Sequence, residues 1–365
     1  MLPAPHSVAT GAGAALPKAL TVVVVAGTQV RLERLQQLLA SQQVAIGGTA
    51  RDGERAHELV IDERPDAVVV DLAPDAGGLA VIEMLMALAP VPIVLTGAAA
   101  LHAAPGLAAG AVDVVSASVE GQGQRVFAAE LARHLRVASK VLVITHPRGR
   151  LRPSRPPAGP PREPAAERPA RQVPLVVIGA STGGPPALAT LLGGLPADLP
   201  AAVVVVQHMA DGFLSSLASW LNGVVPGSVR IAAGGERLAA GQVVLAPGRA
   251  NLEIDSHSRV RLTPPRPGQL HVPEVDATFS SVARSRPRGS VGVLLTGMGR
   301  DGAAGLLAMR RGGALTIGQD EQTSAVWGMP GAARALDAVM VELPLADIAA
   351  EVTTAVHRLA TGGRR

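Results

Sequence analysis

PLVVIGASTGGPPALATLL, residues Pro174 to Leu192, passes from an unbroken apolar run into a Gly-rich turn and then into a segment with helical spacing of Leu and Ala. A short continuous apolar run of this kind suits a strand covered on both faces, which is the environment of a parallel sheet. Strand, tight turn and helix in that order form the repeating unit of a doubly wound α/β domain. The same signals recur downstream. AAVVVVQ, QVVLAPG, VGVLLTG and ALTIGQ read as further strands, and helices are expected after Ser181, after Asp211 and after Asp301. One parallel-sheet domain is therefore expected over residues 173–365.

At 365 residues the chain exceeds the usual span of one hydrophobic core, so a second domain is expected. TVVVV, DAVVVD, PIVLTG and VDVVS read as buried parallel strands, with RLERLQQLLASQ and LAVIEMLMALAP as intervening helices and Arg125 to Ala138 as a closing helix. This alternation predicts another doubly wound sheet over residues 20–138. Residues 1–19 read as a flexible tail. Residues 139–172 read as a linker, because His146 to Arg171 carries eight prolines in 26 residues and has too little apolar surface to fold.

Composition narrows the chemistry. Cysteine is absent, which excludes disulfides, thiolate catalysis and the usual zinc-finger or iron–sulfur ligation, and suits a reducing cytoplasm. The isoelectric point of 10.7 invites a nucleic-acid reading, so the location of the charge decides. Between His146 and Gln172 lie seven Arg and two Glu, a net +5 against +4 for the whole chain. The remainder is close to neutral, and five Phe and Trp residues with no Tyr offer no stacking platform. Nucleic acid is not an expected partner. The longest uncharged stretches, around Val91 to Val112 and Gln172 to Ala197, are interrupted by Pro and Gly, so no membrane insertion is expected.

Gly179-Ala180-Ser181-Thr182-Gly183 satisfies the G-x-S-x-G pattern of a nucleophile elbow. Small neighbours let a substrate carbonyl approach the hydroxyl, and the following helix N-terminus supplies free N–H groups for an oxyanion. A Gly-rich strand-to-helix turn can equally hold a phosphate or be purely structural. The phosphate reading lacks the Walker lysine and the G-x-G-x-x-G spacing. His208 ends the next strand 27 residues later, and Asp301 follows VGVLLTGMGR. Taken singly, His208 could be merely exposed and Asp301 an ordinary helix N-cap. Together they follow a geometric rule: in an open parallel sheet the carboxyl ends of all strands face one edge, where ligands bind. Ser181, His208 and Asp301 can therefore meet, in a chain order unlike that of α/β-hydrolases.

Six segments, IGASTGG, VVQHM, LAPGRANLE, HVPEVDATFSSVA, VGVLLTGMGRDGAAGL and QDEQTSAVWGMPGAA, resemble the successive motifs of the protein-glutamate methylesterase (CheB) family of bacterial chemosensory systems. The resemblance implies a nucleophile at Ser181, a general base at His208 and an orienting carboxylate at Asp301. It places Thr182 beside the nucleophile, makes the backbone N–H of Met298 an oxyanion donor, and sets His271 near the cleft as the runner-up base, with Asp276 structural. The implied activity is hydrolysis of glutamate methyl esters, and related deamidation of glutamines, on methylated chemoreceptor signalling helices. No metal and no cofactor are implied. A chemosensory histidine kinase or adaptor is implied as a further partner. An adaptor with a vestigial esterase domain, or an esterase for another acyl group, remains compatible with these residues.

In the same family the N-terminal domain is a receiver, which residues 20–138 resemble. Asp71 matches the phosphoacceptor position and Thr96 the switch hydroxyl. Other positions depart: Ala26 and Gly27 stand where receivers carry a Mg²⁺-binding acidic pair, and Ala117 where they carry a lysine. Asp71 is accordingly expected to be an ordinary strand-end carboxylate that is not phosphorylated, in a docking or inhibitory domain.

Overall fold

The computed structural model describes residues 20–72, 77–97, 105–107, 109–116, 122–141, 173–209, 211–269 and 271–361. The expected tail, most of the linker and Ala117 lie outside the described residues.

Five parallel strands form the first sheet: β1 (Thr21–Val25), β2 (Ala45–Ala50), β3 (Ala67–Asp71), β4 (Ile93–Gly97) and β5 (Asp113–Ser116), in the order β2-β1-β3-β4-β5. Helices α1 (Gln29–Ala40), α2 (Gly53–Glu63), α3 (Gly78–Leu88) and α4 (Gln122–Ala138) accompany it. Successive strand residues point to opposite faces. Val22 and Val24 accordingly pack with α1 and α4 residues Leu35 and Leu131, whereas Val23 and Val25 pack with α2 and α3 residues Leu59 and Leu85. Each fully buried Val or Leu contributes about 1.5–3 kcal/mol to this core.

The second sheet has seven strands in the order β14-β13-β12-β6-β7-β9-β8, every neighbouring pair parallel. They are β6 (Leu175–Ala180), β7 (Ala202–Gln207), β8 (Ser228–Ile231), β9 (Gln242–Leu245), β12 (Ser290–Leu294), β13 (Leu315–Gln319) and β14 (Val341–Leu343). An antiparallel hairpin, β10 (Asn251–Ile254) and β11 (Val260–Thr263), lies apart from it. The helices are α5 (Gly184–Gly193), α6 (Asp211–Val224), α7 (Val275–Ser285), α8 (Ala303–Arg311), α9 (Met329–Ala335) and α10 (Leu345–Ala360). The doubly wound α/β reading holds for both sheets. From β6 the chain first builds outward through β7, then returns to lay β12 against the other side of β6. Such a reversal opens a crevice at the strands' carboxyl ends.

Elements without a strong apolar signal escape the sequence reading. In β2, AIGGTA, five of the six residues are at least partly exposed, and α2 is a polar helix. They fit because Gly48 has no side chain: a Cβ there would lie 2.6 Å from a Leu59 methyl. Among the described residues no helix is long and apolar enough to cross a membrane.

Candidate active site

Ser181 and His208 sit side by side. Ala180 and Gln207 are register partners across β6 and β7, and the His208 N–H donates to the Ala180 carbonyl at 3.0 Å. The next residue on each strand is therefore Ser181 on one and His208 on the other, at the carboxyl edge. On the far side of β6, the Ser181 N–H donates to the Thr296 carbonyl at 3.0 Å. Ser181 thus lies at the topological switch point.

The turn after Ser181 works only with glycine. Gly183 has φ +75°, and a Cβ there would lie 2.4 Å from the Ala325 Cβ. At Gly184 a Cβ would fall 2.0 Å from Gln207 Oε1. Gln207 is buried, and its Nε2 donates to the Ser181 carbonyl at 2.8 Å and the His208 carbonyl at 3.1 Å. One amide thereby couples the two strand ends. Across the crevice, Thr296 Oγ1 donates to the Thr182 carbonyl at 3.0 Å and accepts from the Val326 N–H at 2.9 Å. Gln319 supports it, its Oε1 accepting from the Thr296 N–H at 2.8 Å. Gln207, Thr296 and Gln319 were missed in the sequence. The visible signal was a glutamine closing an otherwise apolar strand, which has to find partners once buried.

His208 Nε2 lies 2.7 Å from Asp301 Oδ2, and both side chains are nearly buried. The carboxylate is not the N-cap of its own helix. Gly302 takes that position on α8 with no side-chain cap. Instead Asp301 reaches the start of α7, accepting from the Val275 N–H and the Asp276 N–H, each at 2.8 Å. Burial alone would raise its carboxyl, but the His208 contact and these N–H groups hold it below the ordinary value. Asp301 stays ionised beside the imidazole.

His208 Nδ1 is buried and has no hydrogen-bond partner among the described residues, so the Ser181 hydroxyl is not bonded to it. The His–Asp half of the constellation is closed; the Ser–His half is open, as catalytic contacts often are before substrate binds. Among the described residues the Thr182 and Met298 N–H groups have no acceptor, and both flank the Ser181 turn. His271 stacks on His208 with ring centroids 4.5 Å apart and planes 12° apart. Burial first, and the charge of His208 second, lower its affinity for a proton. Asp276 is held by the Gly305 N–H at 2.6 Å, and burial pushes its carboxyl up to about 6.

In the first sheet, Asp71 and Thr96 are register partners at the carboxyl edge, and both are buried. Arg31 Nε lies 2.6 Å from Asp71 Oδ2. Ala26 is buried at the end of β1, next to this site.

The CheB methylesterase family model matches residues 176–352. A protein-glutamate methylesterase/protein-glutamine glutaminase of Cupriavidus metallidurans is 39% identical over 326 residues, 88% of this chain and 92% of that one. Another, of Paramagnetospirillum magneticum, is 41% identical over 313 residues, 83% of this chain and 86% of that one. The crystal structure of the Thermotoga maritima CheB methylesterase catalytic domain is 34% identical and covers 50% of this chain and 98% of that chain, with a TM-score of 0.49. On the strength of these two relatives, the chain belongs to the CheB protein-glutamate methylesterase family.

Proposed function

We propose that this protein hydrolyses methyl esters on glutamate side chains of chemoreceptor signalling helices, and deamidates receptor glutamines by the same route, as an adaptation enzyme in the cytoplasm. The relatives' shared name supports the substrate class. The observation that carries the chemistry is the His208–Asp301 contact of 2.7 Å beside Ser181 on the adjoining strand end.

In this reading Ser181 Oγ attacks the side-chain carbonyl carbon while His208 takes the hydroxyl proton on Nδ1. Asp301, on Nε2, fixes the ring and stabilises the imidazolium. The tetrahedral oxyanion is received by the free N–H groups of Thr182 and Met298. Its collapse breaks the ester C–O bond, and His208 returns the proton so that methanol leaves, or ammonia from glutamine. Water then attacks the acyl-enzyme with His208 again as base, which frees the glutamate and restores Ser181. His271 provides the neutral wall on which the His208 ring rests, and Asp276 anchors α8 through the Gly305 N–H.

The N-terminal domain is proposed to act on this cleft by packing. Phe213 in the first turn of α6 shares an apolar cluster with Leu95, Leu107 and Val114, and Met209, just before that helix, packs against it. Arg133 and His134 of α4 lie within electrostatic reach of His271. A chemosensory kinase, adaptor or receptor segment that displaces this contact would uncover the site.

The substrate assignment is tested by comparing methanol release from methylated receptor with hydrolysis of small methyl esters. Release from receptor at a kcat/KM at least about 100-fold higher, some 3 kcal/mol of specific transition-state binding, supports it. Equal efficiency on both would point to an esterase for another acyl substrate, and inactivity on both to an adaptor.

A further inference from the structure

A receiver that accepts a phosphoryl group uses a divalent cation to offset the arriving charge, and such an ion needs hard oxygen ligands, usually including more than one carboxylate. The side chains around Asp71 do not offer that set. Ala26 and Gly27 close β1 without a carboxylate. Among the described residues at these strand ends, Asp71 supplies the acidic oxygens, and one of them already meets a cation: Arg31 Nε is 2.6 Å from Oδ2. Arg34 adds a second positive charge that acts on the same carboxylate. Placing a dication on Asp71 would bring it against a guanidinium, a like-charge approach with little water to screen it.

Three further observations make the pair a fixed part of the fold. Asp71 is 6% exposed, and a buried carboxylate needs a partner because desolvation disfavours its charge. Arg31 is positioned by its own helix: the Thr28 hydroxyl accepts the Arg31 N–H at 3.4 Å as the N-cap of α1, which sets the first turn over the strand ends. Asp71 Oδ1 and Thr96 Oγ1 are both buried with no hydrogen bond among the described residues, and a Cβ on Gly97 would lie 2.6 Å from Asp71 Oδ1. The second oxygen therefore lies close against the Gly97 backbone, and among the described residues it has no hydrogen-bond partner.

We propose that the Arg31 guanidinium is a resident cation standing in the place of the divalent metal ion, so that the Asp71 site takes up neither Mg²⁺ nor a phosphoryl group. The inference deepens the reading of the N-terminal domain as a packing module: its cation is covalently attached and cannot exchange. No phosphoryl-transfer step runs through the site.

The test uses Mn²⁺ as probe on the full chain, with free Mn²⁺ followed by electron paramagnetic resonance and Asp71→Asn as the control that identifies the site. Four proteins are compared: wild type, Arg31→Ala, the pair Ala26→Asp with Gly27→Asp, and that pair combined with Arg31→Ala. Wild type and Arg31→Ala are expected to show no Asp71-dependent site. The triple variant is expected to gain one, at least about tenfold tighter than the pair that retains Arg31. Equal affinity in those two proteins would overturn the proposal, as would an Asp71-dependent site in wild type or mass-spectrometric labelling of wild-type Asp71 by acetyl phosphate with Mg²⁺. If the triple variant does not fold, thermal midpoints decide. Arg31→Ala should lower the midpoint with Asp71 present and leave it unchanged in the Asp71→Asn background; equal drops in both would overturn the proposal. None of these readouts uses methanol release, so failure of the esterase reading would register separately.

Discussion

The imidazole of His271 lies flat on that of His208, 4.5 Å between centroids and 12° between planes. Two stacked imidazoles cannot both be charged at low cost, and burial already disfavours the proton on His271. In the proposed mechanism the outer ring serves as a neutral surface that keeps water off one face of the inner ring and limits its rotation. His271→Ala is expected to lower kcat roughly tenfold, about 1.4 kcal/mol of barrier, with KM little changed. His208→Ala should cost far more. A larger loss from His271→Ala than from His208→Ala in steady-state kinetics would exchange the two assignments.

Asp301 accepts three hydrogen bonds through two oxygens, from His208, Val275 and Asp276. An asparagine has only one oxygen, so its NH₂ would face at least one N–H donor. Asp301→Asn should disturb both the ring orientation and the start of α7, with a fall in kcat of about 10³–10⁴-fold at neutral pH, the scale seen when an orienting carboxylate of a triad is replaced. A loss below about tenfold would separate Asp301 from the proton relay.

Gly184 and Gln207 are in contact in a way that leaves no space for a methyl group. Gly184→Ala is expected to displace the Gln207 amide and free the Ser181 and His208 carbonyls it holds. Overpacking of this kind costs about 1–3 kcal/mol, so both the thermal midpoint and kcat should fall. Gln207→Leu, which removes the bonds without the clash, should lower kcat while sparing more of the stability. An unchanged kcat in both variants would show that the coupling is idle.

Asp276 sets a pH dependence of stability. Its carboxyl is raised from an ordinary 3.8 to about 6, mainly by burial, so the folded chain holds this proton more tightly than the unfolded chain. Its contribution is thus fully present below about pH 4 and is lost as pH rises through about 6. The upper bound is about 3 kcal/mol, at ~1.4 kcal/mol for each tenfold change in proton affinity. Asp276→Asn keeps an oxygen for the Gly305 N–H at 2.6 Å and removes the titration. The variant should match wild type at pH 4 and exceed it in urea midpoint at pH 7.5. A gain of the same size at both pH values would refute the linkage.

Much of this was legible before any coordinates. Ser181, His208 and Asp301 could be read because each follows a Val- or Leu-rich strand, and a parallel sheet brings all such ends to one edge. The register of β6 with β7 then placed the first two next to each other. What binds Asp301 could not be read, since the N–H groups of Val275 and Asp276 belong to a helix that docks from another part of the chain. The ordinary N-cap role open to Asp301 when taken singly is not the one it fills: Gly302, in a left-handed conformation, holds that position on α8. Gln207 and Gln319 were hidden by the apolar strands they end. The Arg31–Asp71 pair was invisible because forty residues separate its members and only the tertiary fold brings the first turn of α1 to the end of β3.

Methanol release from methylated chemoreceptor by wild-type protein, Ser181→Ala and His208→Ala tests the esterase mechanism most directly. Wild type should release methanol continuously, and both variants should fall to the rate of receptor alone. Release by Ser181→Ala at the wild-type rate would contradict a nucleophile at that strand end.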